Sequence, residues 1–380
     1  MFRLKRHKGT VLVVDVDDAS VGVALVDLGD KARVVQSTRA TLPVEQRSPD
    51  HSATAVVALL EETAQKVVQA YATGADAPPL IASYAIIRSP WTRFRTVQAE
   101  EVYEKPVIVN EKLIEALAKK ALQSPSELDA GNRLESGVVH VYLNGYVTNN
   151  PIGKQVMRAM VTAYESDVKP EVKKTLENAL AKVLPGRVPV VRSGMCALLS
   201  VIGEHMPELH RAVIIDVGSS STHCAVVLKE AVTQTAVIPE GLLTVIAKIA
   251  AGSLPEEVLS QLRMLANDSC STDACKALKD SLARIEPDLA KEFGESFAKL
   301  ASKRRLPNTA MLSAPAEIAP WIASFFSRID FAQFTTTMQP LATELLTADH
   351  LADAVTWEGR SPDTSLGVAA GYVNILSKSA

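Results

Sequence analysis

The chain has no apolar run approaching the roughly 18 residues of a membrane-spanning helix, and its first residues lack the apolar core of a secretory signal. A soluble, cytoplasmic protein is the expectation. Cysteine is scarce: Cys196, Cys224, Cys270 and Cys275 are too few and too scattered for a disulfide framework in 380 residues. All four read as small packing residues in a reducing compartment. Cys270 and Cys275 stand close together, yet a zinc site takes about four ligands and no matching Cys or His pair lies nearby. Net charge is small as well. At −3, with both signs spread along the chain, it creates no broad field to steer nucleic acid. The seven histidines are scattered, and no Ser-His-Asp arrangement can be argued from their spacing.

Apolar residues make up 47% of the sequence, ample for more than one core, so two lobes or more are expected. Two short hairpins stand out, Val11–Leu28 and Ala212–Leu228. Each is a β-branched run, an aspartate (Asp15, Asp216), a turn of small polar residues and a second apolar run that returns beside the first. Successive N–H groups in such a turn form an anion-binding concavity, and a carboxylate at the strand end can hold Mg²⁺. Two facing copies would clamp a nucleotide tail across a cleft.

Around the hairpins the order is readable. A strand-like stretch at Ala32–Leu42 precedes a helix at His51–Tyr71 and a strand at Leu80–Ile87. A small α+β unit begins near Ser83: Tyr84–Ser89 and Arg93–Gln98 extended, Val109–Leu122 an amphipathic helix, Val138–Leu143 and Gln155–Ala163 strands. Lys169–Val183 and Gly194–Glu204 read as helices, Glu240–Lys303 as helix-rich, and Ala316–Ser327 as a further helix. Met1–Lys8 joins apolar and basic residues, a frayed end whose composition suits peripheral contact with an anionic membrane surface. Trp91 and Trp321 read as packing anchors and Lys303-Arg304-Arg305 as a solvated helix end.

With its duplicated hairpins and inserted strand-helix-strand-strand unit, the chain resembles the actin-like ATPase superfamily. Within it, the likeness is to the branch holding the division protein FtsA and the pilus protein PilM, which carries an SHS2 insertion. Pro239–Ala250 and Ser361–Leu376 resemble that branch's entry to its second small subdomain and its closing helix. The resemblance implies an α/β fold of two actin-like (duplicated ribonuclease H-like) lobes with an inserted α+β SHS2 domain. It divides the chain into the first lobe (1–82 and 169–209), the insertion (83–168) and the second lobe (210–239 and 306–345). A helical subdomain of that lobe (240–305) and a C-terminal region returning to the first lobe (346–380) complete the division.

The implied cofactor is ATP with Mg²⁺. Phosphate contacts would come from Asp15, Asp17, Asp18, Asp216, Gly218, Ser219, Ser220, Ser221 and Thr222, with Mg²⁺ on Asp15 and Asp216, aided in the first hairpin by Asp17. The adenosine turn would be Ala314-Pro315-Ala316. The departures from the family pattern fall on these positions. Asp17 replaces a glycine and Ser20 a lysine in the first turn, and His223 replaces an aspartate in the second. A carboxylate about 4 Å from a phosphate costs roughly 1 kcal/mol in water and about 4 at an effective dielectric of 20. Pro315 removes an N–H where the family has three glycines. The motifs are eroded, and a scaffold is expected rather than an enzyme.

The resemblance then implies a PilM-like adaptor, at the inner face of a bacterial cytoplasmic membrane, that docks the cytoplasmic tail of a PilN-like inner-membrane protein beside the insertion. The chain stops at Ser377–Ala380 directly after its final helix, so no FtsA-type membrane anchor is expected. The alternatives are an FtsA-like cell-division protein that self-assembles on the membrane, and an active Mg-ATPase.

Overall fold

The computed structural model describes residues 9–47, 52–74, 78–148, 150–228, 231–250, 253–270, 273–302, 304–359 and 362–379. The basic segment Met1–Lys8 and Lys303 lie outside them. Strands β1 (Thr10–Val16), β2 (Ser20–Asp27) and β3 (Ala32–Thr41) form a meander, followed by α1 (Ser52–Ala72) and β4 (Ser83–Ile87). The next unit is β5 (Thr92–Ile108), α2 (Glu111–Leu122), β6 (Arg133–Leu143), β7 (Tyr146–Thr148) and β8 (Gln155–Val168). Then come α3 (Pro170–Val183), β9 (Val190–Ser193) and α4 (Gly194–His205). A second meander follows, β10 (Arg211–Val217), β11 (Thr222–Leu228) and β12 (Ala231–Ile238), with α5 (Leu242–Ile249), α6 (Pro255–Ala266) and α7 (Asp273–Ala301) after it. The chain ends with β13 (Thr309–Ser313), α8 (Ala319–Arg328), β14 (Ala342–Leu345), β15 (Val355–Trp357) and α9 (Thr364–Ser379).

Two of the three sheets repeat one plan. The first runs β15-β3-β2-β1-β4-β9 and the second β12-β11-β10-β13-β14. In each, an antiparallel meander is extended by parallel strands on the far side of its first member. The inner strands are apolar on both faces, as burial on two sides demands. One face of each sheet meets the other lobe through α4 and α9: Val11, Val13, Ala212 and Ile214 share a core with Val201 and Ala369. The outer face of the first sheet is covered by α1 and α3. That of the second packs on α5 to α8, where Phe293, Phe297, Phe325, Phe326 and Phe331 are fully buried, each contributing about 1.5–3 kcal/mol by removal from water.

The third sheet, β5-β8-β6-β7, has its own small core beneath α2. Sequence periodicity starts this unit near Ser83; the structure instead pairs β4 parallel to β1, so 83–87 are part of the first sheet. The expected strand Arg93–Gln98 is in fact 17 residues long. Its second half, rich in Glu and interrupted by Pro106, lies on a sheet edge, where charged residues and proline are tolerated and alternation is weak. Cys270 and Cys275 correct the sequence reading: they form a disulfide closing the link between α6 and α7. Cys196 and Cys224 are buried free thiols. Trp91 is buried among first-lobe residues. No helix among the described residues is long and apolar enough to cross a membrane.

Candidate functional site

The first hairpin carries Asp15 on β1 opposite Gly22 on β2, and Gly22 stands opposite Arg39 on β3. With no side chain between them, Arg39 lies across the glycine. Its Nη2 donates to Asp15 Oδ2 at 2.7 Å, Nε to Asp363 Oδ2 at 2.6 Å and Nη1 to Ser20 Oγ at 2.8 Å. Asp15 is only 2% exposed. Burial pushes its carboxyl above the ordinary value against the pull of Arg39 and Arg88. For Asp363, burial raises and Arg39 lowers, and the guanidinium prevails.

Asp17 turns back on its own loop. Its Oδ1 accepts the N–H groups of Ala19 (2.7 Å) and Ser20 (2.6 Å), and Oδ2 accepts the Ser20 hydroxyl at 3.0 Å. These are turn amides that a phosphate would need. Asp17, expected beside Asp15 as a Mg²⁺ ligand, therefore occupies the anion nest itself. Asp18 is 1% exposed, touches Ser220 of the other hairpin and leaves Oδ1 without a partner among the described residues. Burial, with the nearby Asp17 charge, pushes its carboxyl up to about 7.

On the second hairpin Asp216 stands opposite His223 and in register with Ser313 of β13. Arg88, directly after β4, donates from Nη2 to Asp216 Oδ1 and to Ser313 Oγ (3.3 Å), and from Nη1 to Ser365 Oγ at 3.0 Å. Burial keeps the His223 imidazole below its ordinary value. The turn is closed by Gly218 N–H to Ser221 C=O at 2.8 Å, and Ser221 Oγ meets Ser89 Oγ of the first lobe. Leu242 and Leu243, the first amides of α5, donate to the carbonyls of Gly218 and Ser219. A Cβ on Gly241 would lie 2.5 Å from Ser219 O, so only glycine permits this approach. Thr222 Oγ1 donates to Glu240 O at 2.6 Å, and the buried Ser219 Oγ has no partner among the described residues.

Between the lobes is a cavity of about 850 Å³. Of the sequence-predicted positions, Asp17, Gly218, Ser219 and the turn Ala314-Pro315-Ala316 line it, as does Ser20, whereas Asp15, Asp18, Asp216, Ser220, Ser221 and Thr222 do not. The Pro315 carbonyl accepts from Ile318 and Ala319, fixing that turn. Deeper in, Asp15, Asp216 and Arg88 border a void of only about 10 Å³. Among the described residues no three His, Cys, Asp or Glu side chains gather as a metal site. Sequence reasoning missed Arg39 and Arg88. Their signal was an arginine inside or directly after an apolar strand run, since a charge carried into a core must be paired there.

A second concavity of about 240 Å³ lies where the third sheet, α4 and the second lobe meet. Its walls include Phe94 (β5), Tyr164 (β8), Leu199 (α4), Met206, Val227 (β11) and Val232 (β12). The rings of Phe94 and Tyr164 stack at 6.0 Å. Beside it Glu135 of β6 ties the insertion down. Its Oε2 accepts from Tyr372 of α9 at 2.7 Å, and Oε1 from the Ser193 amide at 2.9 Å.

No family model matches the sequence, and no curated protein matches it. Among solved structures, a PilM-PilN type IV pilus biogenesis complex aligns over 98% of this chain and 99% of its own, with a TM-score of 0.62 and 15% identity. The ethanolamine utilization protein EutJ from Carboxydothermus hydrogenoformans aligns over 96% and 89%, with a TM-score of 0.48 and 11% identity. A Ppx/GppA family member from Aquifex aeolicus aligns over 97% and 89%, with a TM-score of 0.37 and 12% identity.

Proposed function

We infer a PilM-like role for this chain from its two-lobed actin-like ATPase fold, which aligns with a PilM-PilN complex over 98% of the chain. We propose that it works as a divergent PilM-like scaffold, docking the cytoplasmic tail of an inner-membrane protein in the apolar groove beside an SHS2-type insertion. The observation that supports this most directly is the groove itself. Phe94, Tyr164, Leu199 and Met206 present an apolar wall at a junction of three structural units, a surface suited to a short apolar peptide segment. One structural neighbour is a PilM-PilN complex, which makes a PilN-like tail the partner to test. The protein would then sit at the cytoplasmic face of the membrane. Nucleotide turnover is not needed for this role, and the self-capped first turn argues against it.

The test is fluorescence anisotropy of a labelled peptide, the cytoplasmic tail of the PilN-like protein from the same cell, against the purified chain. Saturable binding is expected, weakened more than tenfold by Leu199→Glu. No binding to the wild type, or equal binding to the variant, overturns the reading.

A second reading has one observation in its favour. Val102, Ile108, Tyr146, Ile152 and Met157, all in the inserted unit, are exposed apolar residues suited to an FtsA-like filament contact. Concentration-dependent filaments in sedimentation, lost in Tyr146→Glu, would favour it.

A further inference from the structure

In an actin-like cleft the fold family places a divalent cation between the two hairpin aspartates, and the residues present here do not fit one. The void bordered by Asp15 and Asp216 measures about 10 Å³. That is about the space of a single water, whereas Mg²⁺ demands octahedral oxygen ligands and keeps several waters. A cation already stands there. The Arg88 guanidinium, carried in by β4 of the first lobe, reaches Asp216 and Ser313 of the second. Asp15 is neutralised separately by Arg39.

Both arginines have been given room. A Cβ on Gly22 would stand 2.7 Å from Arg39 Nη2, and one on Gly194 would stand 2.7 Å from Arg88 Cγ. The Arg39 guanidinium and the aliphatic stem of Arg88 thus each pass a residue with no side chain, and any larger residue would force them aside. Further contacts cross between the lobes: Ser89 with Ser221, Asp18 with Ser220, and the Val44 amide with Glu256 of α6.

We propose that Arg88 takes the place and duty of the divalent cation, bridging the two lobes so that they stay closed with neither metal nor nucleotide bound. A phosphate tail and its Mg²⁺ normally supply opposite charges that a cleft must hold together. Here the charges are built into the chain, paired and dehydrated, and they act continuously. Breaking the bridge would leave Asp216 buried without its cation, so the lobes would part and admit water. This proposal concerns the cleft alone and is independent of whether the apolar groove takes a peptide.

The experiment measures lobe separation in the full chain, with spin labels at Lys66→Cys on α1 and Lys291→Cys on α7, both exposed positions. The native thiols are buried or paired. One narrow distance distribution is expected, unchanged by millimolar Mg-ATP, with a longer and broader one in Arg88→Ala. Free Mn²⁺, followed by its own spin signal, should remain unbound by the wild type at submillimolar concentrations. Narrowing or shifting of the wild-type distribution by Mg-ATP, tight Mn²⁺ binding by the wild type, or an unchanged distribution in folded Arg88→Ala would each overturn the proposal. Because the first two use only wild-type cleft residues, misfolding of the Arg88 variant cannot shelter it.

Discussion

Arg39 reaches Asp15 by lying across the bare backbone of Gly22, and the 2.7 Å contact exists only because that position has no Cβ. In Gly22→Ala the methyl carbon would stand 2.7 Å from Arg39 Nη2 and 2.8 Å from Leu366 Cγ. The guanidinium must move, leaving Asp15 buried with reduced compensation. Removing one partner of a buried ion pair costs about 3–5 kcal/mol, and Gly22→Ala should approach the lower end of that range in urea unfolding. Arg39→Ala should cost at least as much. The double variant Asp15→Asn/Arg39→Ala should cost less than the sum of the single changes, because Asp15 no longer carries a stranded charge, although Asp363 still loses its guanidinium partner.

Asp17 gives a prediction about binding. Its carboxylate accepts from Ala19 N–H and Ser20 N–H, filling the concavity that a phosphate would use. In Asp17→Gly those amides are released and one negative charge leaves the cavity. Calorimetry with ATP should show little or no heat of binding for the wild type, and binding in Asp17→Gly. Losing the side-chain cap should lower stability by about 1 kcal/mol. Micromolar ATP binding by the wild type would show that the first turn still functions as a phosphate cradle.

The hairpins were legible in the sequence because their signals are local. A β-branched run, an aspartate and a small-residue turn specify β1-β2 and β10-β11 without help from distant residues. The turn positions Asp17 and Gly218 are located for the same reason, Pro315 only through the resemblance to the family's adenosine turn, and all three line one cavity. Arg39 and Arg88 were not found, because a buried arginine is explained only by the carboxylate that tertiary structure brings to it. Asp363 and Asp216, their distant partners, are far away in sequence. Strand β4 was drawn into the inserted unit because periodicity marks an apolar strand without naming its neighbour; pairing with β1 decides that. The Cys270–Cys275 link was missed because a sparse cysteine count predicts compartment, whereas bridging depends on the distance between two thiols, here with Cα atoms 5.6 Å apart.

Glu135 couples the inserted unit to the lobe beneath it. Its two oxygens accept from the Tyr372 hydroxyl and the Ser193 amide, and burial with the Glu135 charge drives the Tyr372 phenol well upward. Glu135→Ala strands both donors beside the apolar groove. Hydrogen bonds to a charged group are worth about 1.5–3 kcal/mol each, so a loss of roughly 3 kcal/mol is expected. Faster amide exchange in β6 and β9 should accompany it, and a PilN-like tail, if it docks in the groove as proposed, should dissociate faster even though Glu135 does not line the groove. Unchanged exchange in β9 would show that the insertion is held by its apolar contacts alone.

Asp18 makes stability depend on pH in an unusual direction. Its carboxyl is raised from 3.8 to about 7 by burial and by the neighbouring Asp17 charge. The folded protein therefore binds this proton more tightly than the unfolded chain does. Its contribution is fully present below pH 3.8, falls as pH rises toward 7, and is absent above that. Since each pKa unit is worth about 1.4 kcal/mol, the ceiling of the effect is about 4 kcal/mol. Asp18→Asn, which cannot ionise, should be more stable than the wild type at pH 8, with the difference shrinking steadily to nothing near pH 4. Urea midpoints across that range measure it. A difference that stays constant with pH would mean that Asp18 is ionised throughout and that Ser220 compensates its charge.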